Sequence, residues 1–160
     1  MQPMETTINV IMDFSGSITE LGKAAVLKSM IYRIRTIAKQ KGAKVVFVLW
    51  NEDIVPFRGK WDTKPMGKTN PSALIDFIAA KPPGEKYILL SDGIGDTDSF
   101  VAIRQCLAKS RAVLSAIAVG KDVDIWSLKQ ISYEKTVWHA TDIVTAINFL
   151  CYGIFEENTP

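Results

Sequence analysis

Apolar runs that stop on a carboxylate constrain this sequence more than any other feature. Ile8-Asn9-Val10-Ile11-Met12 runs into Asp13, and Tyr87-Ile88-Leu89-Leu90 runs through Ser91 into Asp92. Two further runs, Ala43 to Trp50 and Ala112 to Val119, are equally apolar at their centres. Runs of this length and composition predict strands buried on both faces. Helical patterns lie between them. From Leu21 to Lys41 the residues Ala24, Leu27, Ile31, Ile34 and Ala38 recur at helical spacing, and Gly42 supplies the stop. Pro71 to Ala80 is a short helix with proline near its start, where the missing N–H costs nothing. Ser99 to Lys109 places Phe100, Ile103 and Leu107 inward, and Asp124 to Ile131 is another short helix. Thr136 to His139 reads as a last short strand, after which Thr141-Asp142 caps a final helix reaching about Tyr152.

One strand breaks the alternation. Asn51-Glu52-Asp53 is a tight turn into Ile54-Val55-Pro56-Phe57. Pro56 cannot donate to a ladder, so this strand belongs at a sheet edge, and the hairpin makes it antiparallel. The expected fold is α/β, a Rossmann-like doubly wound sheet that is mostly parallel, with one antiparallel edge strand and helices on both faces. The 160 residues suit a single domain, with a core from about 7 to 152 and a tail over 153–160.

Composition removes some functions. A net charge of +2 gives no electrostatic basis for binding nucleic acid or a membrane surface. Met1 to Thr7 carries no basic residue and no apolar segment, unlike a signal peptide. No apolar run approaches the roughly 18 residues of a membrane span. The two cysteines, Cys106 and Cys151, fall among apolar neighbours in helices and are expected to be buried free thiols. Together these features predict a cytoplasmic protein. The oligomeric state is left open.

Right-handed crossovers bring every strand-to-helix loop to the same sheet edge. Asp13-Phe14-Ser15-Gly16-Ser17 follows the first strand, and Asp92-Gly93 follows the fourth. Lys68-Thr69-Asn70 also leads into a helix, so Thr69 joins them. Asp13, Ser15, Ser17, Thr69 and Asp92 are hard oxygen donors of the kind that hold Mg²⁺, with Mn²⁺ or Ca²⁺ as substitutes. With so many neutral hydroxyls, an ion there keeps residual positive charge for an external carboxylate.

These residues resemble the metal-ion-dependent adhesion site of the von Willebrand factor A family. That site is written Asp-x-Ser-x-Ser, then a Thr after Gly on a second loop, then Asp-Gly after the fourth strand. Here they stand as Asp13-Phe14-Ser15-Gly16-Ser17, Gly67-Lys68-Thr69 and Asp92-Gly93, in order. The resemblance covers about Thr7 to Tyr152 and is similar to small stand-alone bacterial intracellular members of the tellurite-resistance and stress-system type. It implies a binding platform and not an enzyme. It also implies direct ligation by Ser15 and Ser17, ligation by Thr69 directly or through water, and support from Asp13 and Asp92. A glutamate or aspartate of a partner protein would complete the shell. The loop Arg58 to Lys68 borders this site with Arg58, Lys60, Lys64, Lys68 and Trp61, which suits an acidic partner.

Other readings account for less. Ser17-Ile18-Thr19-Glu20 matches a capping box, but a cap leaves Thr69 and Asp92 unexplained. A phosphate loop at Gly67-Lys68-Thr69 requires a glycine where Asp62 stands. Asp13 is placed like the nucleophile of an aspartyl phosphohydrolase, and Gly95-Asp96-Thr97-Asp98 is similar to an acidic motif of haloacid-dehalogenase-like enzymes. Such enzymes carry a general acid two residues on, where this chain has Ser15. Mg²⁺-dependent phosphate hydrolysis by Asp13 is therefore the alternative to adhesion. His139 reads as structural, and Trp50, Trp126 and Trp138 as core residues.

Overall fold

The computed structural model describes residues 6–14, 23–59, 69–93, 97–120 and 122–153. Six strands form one sheet: β1 (Thr7–Asp13), β2 (Lys44–Trp50), β3 (Ile54–Pro56), β4 (Lys86–Ser91), β5 (Val113–Ala118) and β6 (Val137–Trp138). Their order is β3-β2-β1-β4-β5-β6. Every pair is parallel except β2 with β3, where Trp50 faces Ile54 and Val48 faces Pro56. The hairpin is the expected one.

Side chains alternate across the sheet, so each strand feeds two cores. Ile8, Val10 and Met12 of β1 join Ile88 and Leu90 of β4 on one face. Helix α1 (Lys23–Gln40) covers that face with Leu27, Ile31 and Ile34, and α5 (Ile143–Asn148) adds Ile143, Ala146 and Ile147. Ile11, Tyr87 and Leu89 look the other way. There they meet Leu74 and Ile78 of α2 (Pro71–Ala79), Phe100, Ile103 and Leu107 of α3 (Thr97–Lys109), and Leu128 and Ile131 of α4 (Ile125–Ile131). Covering both faces lets β1 and β4 be apolar almost throughout.

Several boundaries differ from the sequence reading. Helix α3 begins at Thr97, two residues before Ser99. The final helix is not one continuous α-helix. A 3₁₀ turn spans Ala140–Asp142, α5 follows, and a π-type turn spans Phe149–Gly153. The start is set by His139, whose backbone N–H donates to Asp142 Oδ2 at 3.3 Å. The wider π-type turn accompanies burial of two sequence neighbours, Leu150 and Cys151. Cys151 is a buried free thiol as expected, and burial pushes its pKa up. Cys106 is free but only half-buried, with Sγ 3.6 Å from the Ile75 carbonyl oxygen it donates to. No helix among the described residues is long and apolar enough to cross a membrane.

Candidate metal centre

β1 and β4 are neighbours, yet the chain winds away from them in opposite directions, to β2 and β3 on one side and to β5 and β6 on the other. Ligands of open α/β sheets bind outside the carboxyl ends of the strands at such a switch point. Asp13 is the last residue of β1, and Asp92 directly follows β4. Both side chains are buried, at 2% and 0% exposure. Carboxylates taken out of water need compensation, so the surrounding contacts define the site.

Ser91 provides the first contact. Its hydroxyl donates to Asp13 Oδ2 at 2.8 Å and accepts from the Gly93 N–H at 3.0 Å. One hydroxyl thus orients the β1 carboxylate and shapes the turn that carries Asp92. The backbone ties the same turn to its neighbour. The Asp124 N–H donates to the Asp92 carbonyl at 2.7 Å. A Cβ at residue 93 would sit 2.5 Å from the Asp124 carbonyl oxygen and 2.9 Å from Leu128 Cγ, and φ there is +74°. Glycine alone allows this approach.

Lys23 provides the second contact. It lies at the start of α1 and its side chain is 0% exposed. Nζ is 3.1 Å from Asp92 Oδ2 and 2.7 Å from Asp122 Oδ1. Burial pulls the Lys23 pKa down, but hydrogen bonds to Asp122 and Asp92 outweigh it and hold the pKa above its ordinary value. The same hydrogen bond holds the Asp122 carboxyl below the usual carboxylate range. Asp124 is already engaged as the cap of α4, accepting from the Ser127 N–H at 3.1 Å and hydroxyl at 2.7 Å.

The second loop reaches this edge through Trp50, which stands in register with Asp13. The Phe14 N–H donates to the Trp50 carbonyl at 2.8 Å, and the Trp50 indole N–H donates to the Asn70 carbonyl at 2.8 Å. The Asn70 N–H donates to the Asn51 carbonyl at 2.7 Å. Asn70 caps α2 by accepting from the Ser72 N–H at 3.1 Å. Thr69, half-buried, is therefore held at the same rim as Asp13. Asn51 Oδ1 is buried there and has no hydrogen-bond partner among the described residues.

Asp13, Thr69 and Asp92 are thus brought to one sheet edge. Ser15 and Ser17 lie outside the described residues, as do Lys60, Trp61, Lys64 and Lys68. Arg58 is exposed, two residues past the end of β3. The other tryptophans divide: Trp50 is core and Trp138 half-buried, whereas Trp126 is 59% exposed. Trp126 corrects the expectation of a core residue. Leu128 and Ile131 set the inward face of α4, which turns Trp126 to solvent. His139 is exposed. Lys23, Ser91 and Asp122 are site residues that the sequence reading did not find.

The donors suit a small hard cation. Among the described residues no group of three or more His, Cys, Asp or Glu side chains is gathered to hold a metal. An ion held by the described Asp13 and Asp92 would complete its shell with hydroxyls and water, as Mg²⁺ ordinarily does.

No protein-family model matches the sequence. No curated protein matches it. Solved structures do. An aerotolerance-related membrane protein from Bacteroides fragilis superposes with a TM-score of 0.71 at 11% identity, over 94% of this chain and 99% of that one. The manganese-loaded TRAP protein of Plasmodium vivax gives 0.71 at 14% identity, over 91% of this chain and 73% of that one. A von Willebrand factor type A protein from Catenulispora acidiphila gives 0.61 at 16% identity, over 89% of this chain but 41% of that one. The chain has the von Willebrand factor A fold.

Proposed function

We propose that this chain is a metal-dependent protein-interaction module and not an enzyme. The observation that carries the reading is the pair of buried carboxylates, Asp13 and Asp92, at the switch point of this fold. Ser15, Ser17 and Thr69 would hold Mg²⁺, with Asp13 and Asp92 in support. The ion would supply a positively charged open position for an aspartate or glutamate of the partner. The chain's own contribution is rigidity. Ser91 fixes the Asp13 carboxylate, the Asp92 turn is fastened to the start of α4, and Trp50 holds the Thr69 loop in place. The backbone of a rim held this way is set before any ion arrives.

A manganese-loaded neighbour of the same fold supports a divalent ion. The likeness to an aerotolerance-related protein supports a place in a bacterial stress system. The exposed Trp126, two residues from the Asp124 whose N–H is bonded to the Asp92 carbonyl, offers contact area for a partner, whereas β3 carries Arg58 back from this edge toward the middle of β2. Ser15 in place of a general acid favours binding over phosphate hydrolysis.

The test is capture of partners from cells by the full chain, in Mg²⁺ and in chelator, with Ser15→Ala and Asp13→Ala as comparisons. Proteins retained only by the intact site with metal are the expected result. Retention that is indifferent to both metal and substitution would refute the reading.

A further inference from the structure

Lysines on helices ordinarily keep their ammonium in water. Lys23 does not, and the fold makes room for it. At Gly120, just after β5, an added Cβ would lie 2.8 Å from both Lys23 Cγ and Cε and 3.2 Å from Cδ. The stem of the lysine fills the space a side chain would need, and φ at Gly120 is +96°. The ammonium then meets carboxylates from two different loops. Asp92 belongs to the loop after β4 and is fully buried, whereas Asp122 belongs to the loop after β5 and is 37% exposed. The shorter contact, 2.7 Å, is to Asp122.

We propose that Lys23 is a tethered cation that contests Asp92 with the divalent ion, and that Asp122 takes over the ammonium when metal binds. The inference rests on the metal-site reading above. Lys23 occupies Asp92 Oδ2, so an ion approaching that carboxylate meets a fixed like charge. Like charges at such a distance repel strongly in a poorly hydrated site. The repulsion falls if the ammonium withdraws toward Asp122, which already holds it and whose exposure gives it freedom to follow. Lys23 thereby lowers metal affinity and couples the loop after β4 to the loop after β5. Asp122 sets how far affinity is lowered, because it offers the ammonium an alternative to Asp92.

Two substitutions have opposite expected effects. Lys23→Met keeps the buried stem and removes the charge, and should bind Mn²⁺ and Mg²⁺ at least about tenfold more tightly. Asp122→Asn leaves the ammonium to Asp92 alone and should weaken binding by about three- to tenfold. Calorimetric titration of the full chain with each ion, with Mn²⁺ counted by electron paramagnetic resonance, reads both. If wild type binds and Lys23→Met binds no more tightly, Lys23 is only a strut and the proposal falls while the metal site stands. Binding by Lys23→Met but not by wild type supports the proposal in its strongest form. If neither protein binds either ion, the metal-site reading fails and takes the proposal with it. Should Lys23→Met not fold, Asp122→Asn decides, since affinity equal to or above that of wild type overturns the proposal.

Discussion

The two ends of the central strand pair handle buried polarity differently. At the entering end, Asn9 is 2% exposed and donates through Nδ2 to Glu85 Oε2 at 2.9 Å and to the Lys86 carbonyl at 3.2 Å. That contact is local: an amide answers the neighbouring strand. At the leaving end, Asp13 and Asp92 are answered by Ser91 and by Lys23, and Lys23 comes from a helix on the far side of the β1 loop. Asn9 at the entering end is answered by neutral and charged acceptors of one neighbouring segment. The leaving end holds Asp13 by a hydroxyl and Asp92 in a charged contact that a dissolved cation could rearrange. The difference separates polarity that serves the fold from polarity available to a ligand.

The sharpest way to break this contrast is at Lys23. In chelator, Lys23→Met should cost up to about 3–5 kcal/mol, because it removes the ammonium that Asp92 is paired with. Millimolar Mg²⁺ should recover part of that loss in urea unfolding. A loss of equal size in both conditions would make the two ends alike. Asn9→Ala should cost less, about 1–2 kcal/mol, and by the same amount with or without metal. Tyr87, also near the entering end, should show the smallest effect. Its hydroxyl is buried with no partner among the described residues, so Tyr87→Phe should be neutral or stabilising by up to about 1 kcal/mol at neutral pH. Burial pushes the Tyr87 pKa up to about 12 from 10.0. The folded state therefore keeps a proton that the unfolded chain releases, and stability falls as pH rises between those values. Wild type should lose about 1.4 kcal/mol per pH unit relative to Tyr87→Phe across that window. Parallel curves for the two proteins would show that the hydroxyl is hydrated.

Much of this was legible in the sequence because it is periodic or local. Strand runs ending on Asp13 and Asp92, the hairpin at Asn51 and the helical spacing of Leu27, Ile31 and Ile34 each follow from neighbours a few residues apart. Lys23 was not legible. A lysine opening a helix reads as solvated, and its partners lie at Asp92 and Asp122, which only the fold brings near. Ser91 was hidden for the same reason: a strand-ending serine gives no sign that its hydroxyl orients a residue on another strand. Trp126 was within reach, since Leu128 and Ile131 fix the phase of a helix that places it outward. The last helix was harder. Ile143, Ala146, Ile147, Leu150 and Cys151 all turn inward, and nothing in that spacing announces a change of helix type.

The margins of the sheet carry one further consequence. β3 has three residues and ends in Pro56, and β6 has two. Long unpaired margins invite other chains to add as further strands, whereas short ones and proline discourage it. Among the described residues the sheet margins are therefore poorly suited to recruiting partners by strand addition. On the proposed reading the chain's associations fall instead to the loops beyond the strand tips, where selection can alter who binds without disturbing how the sheet is assembled.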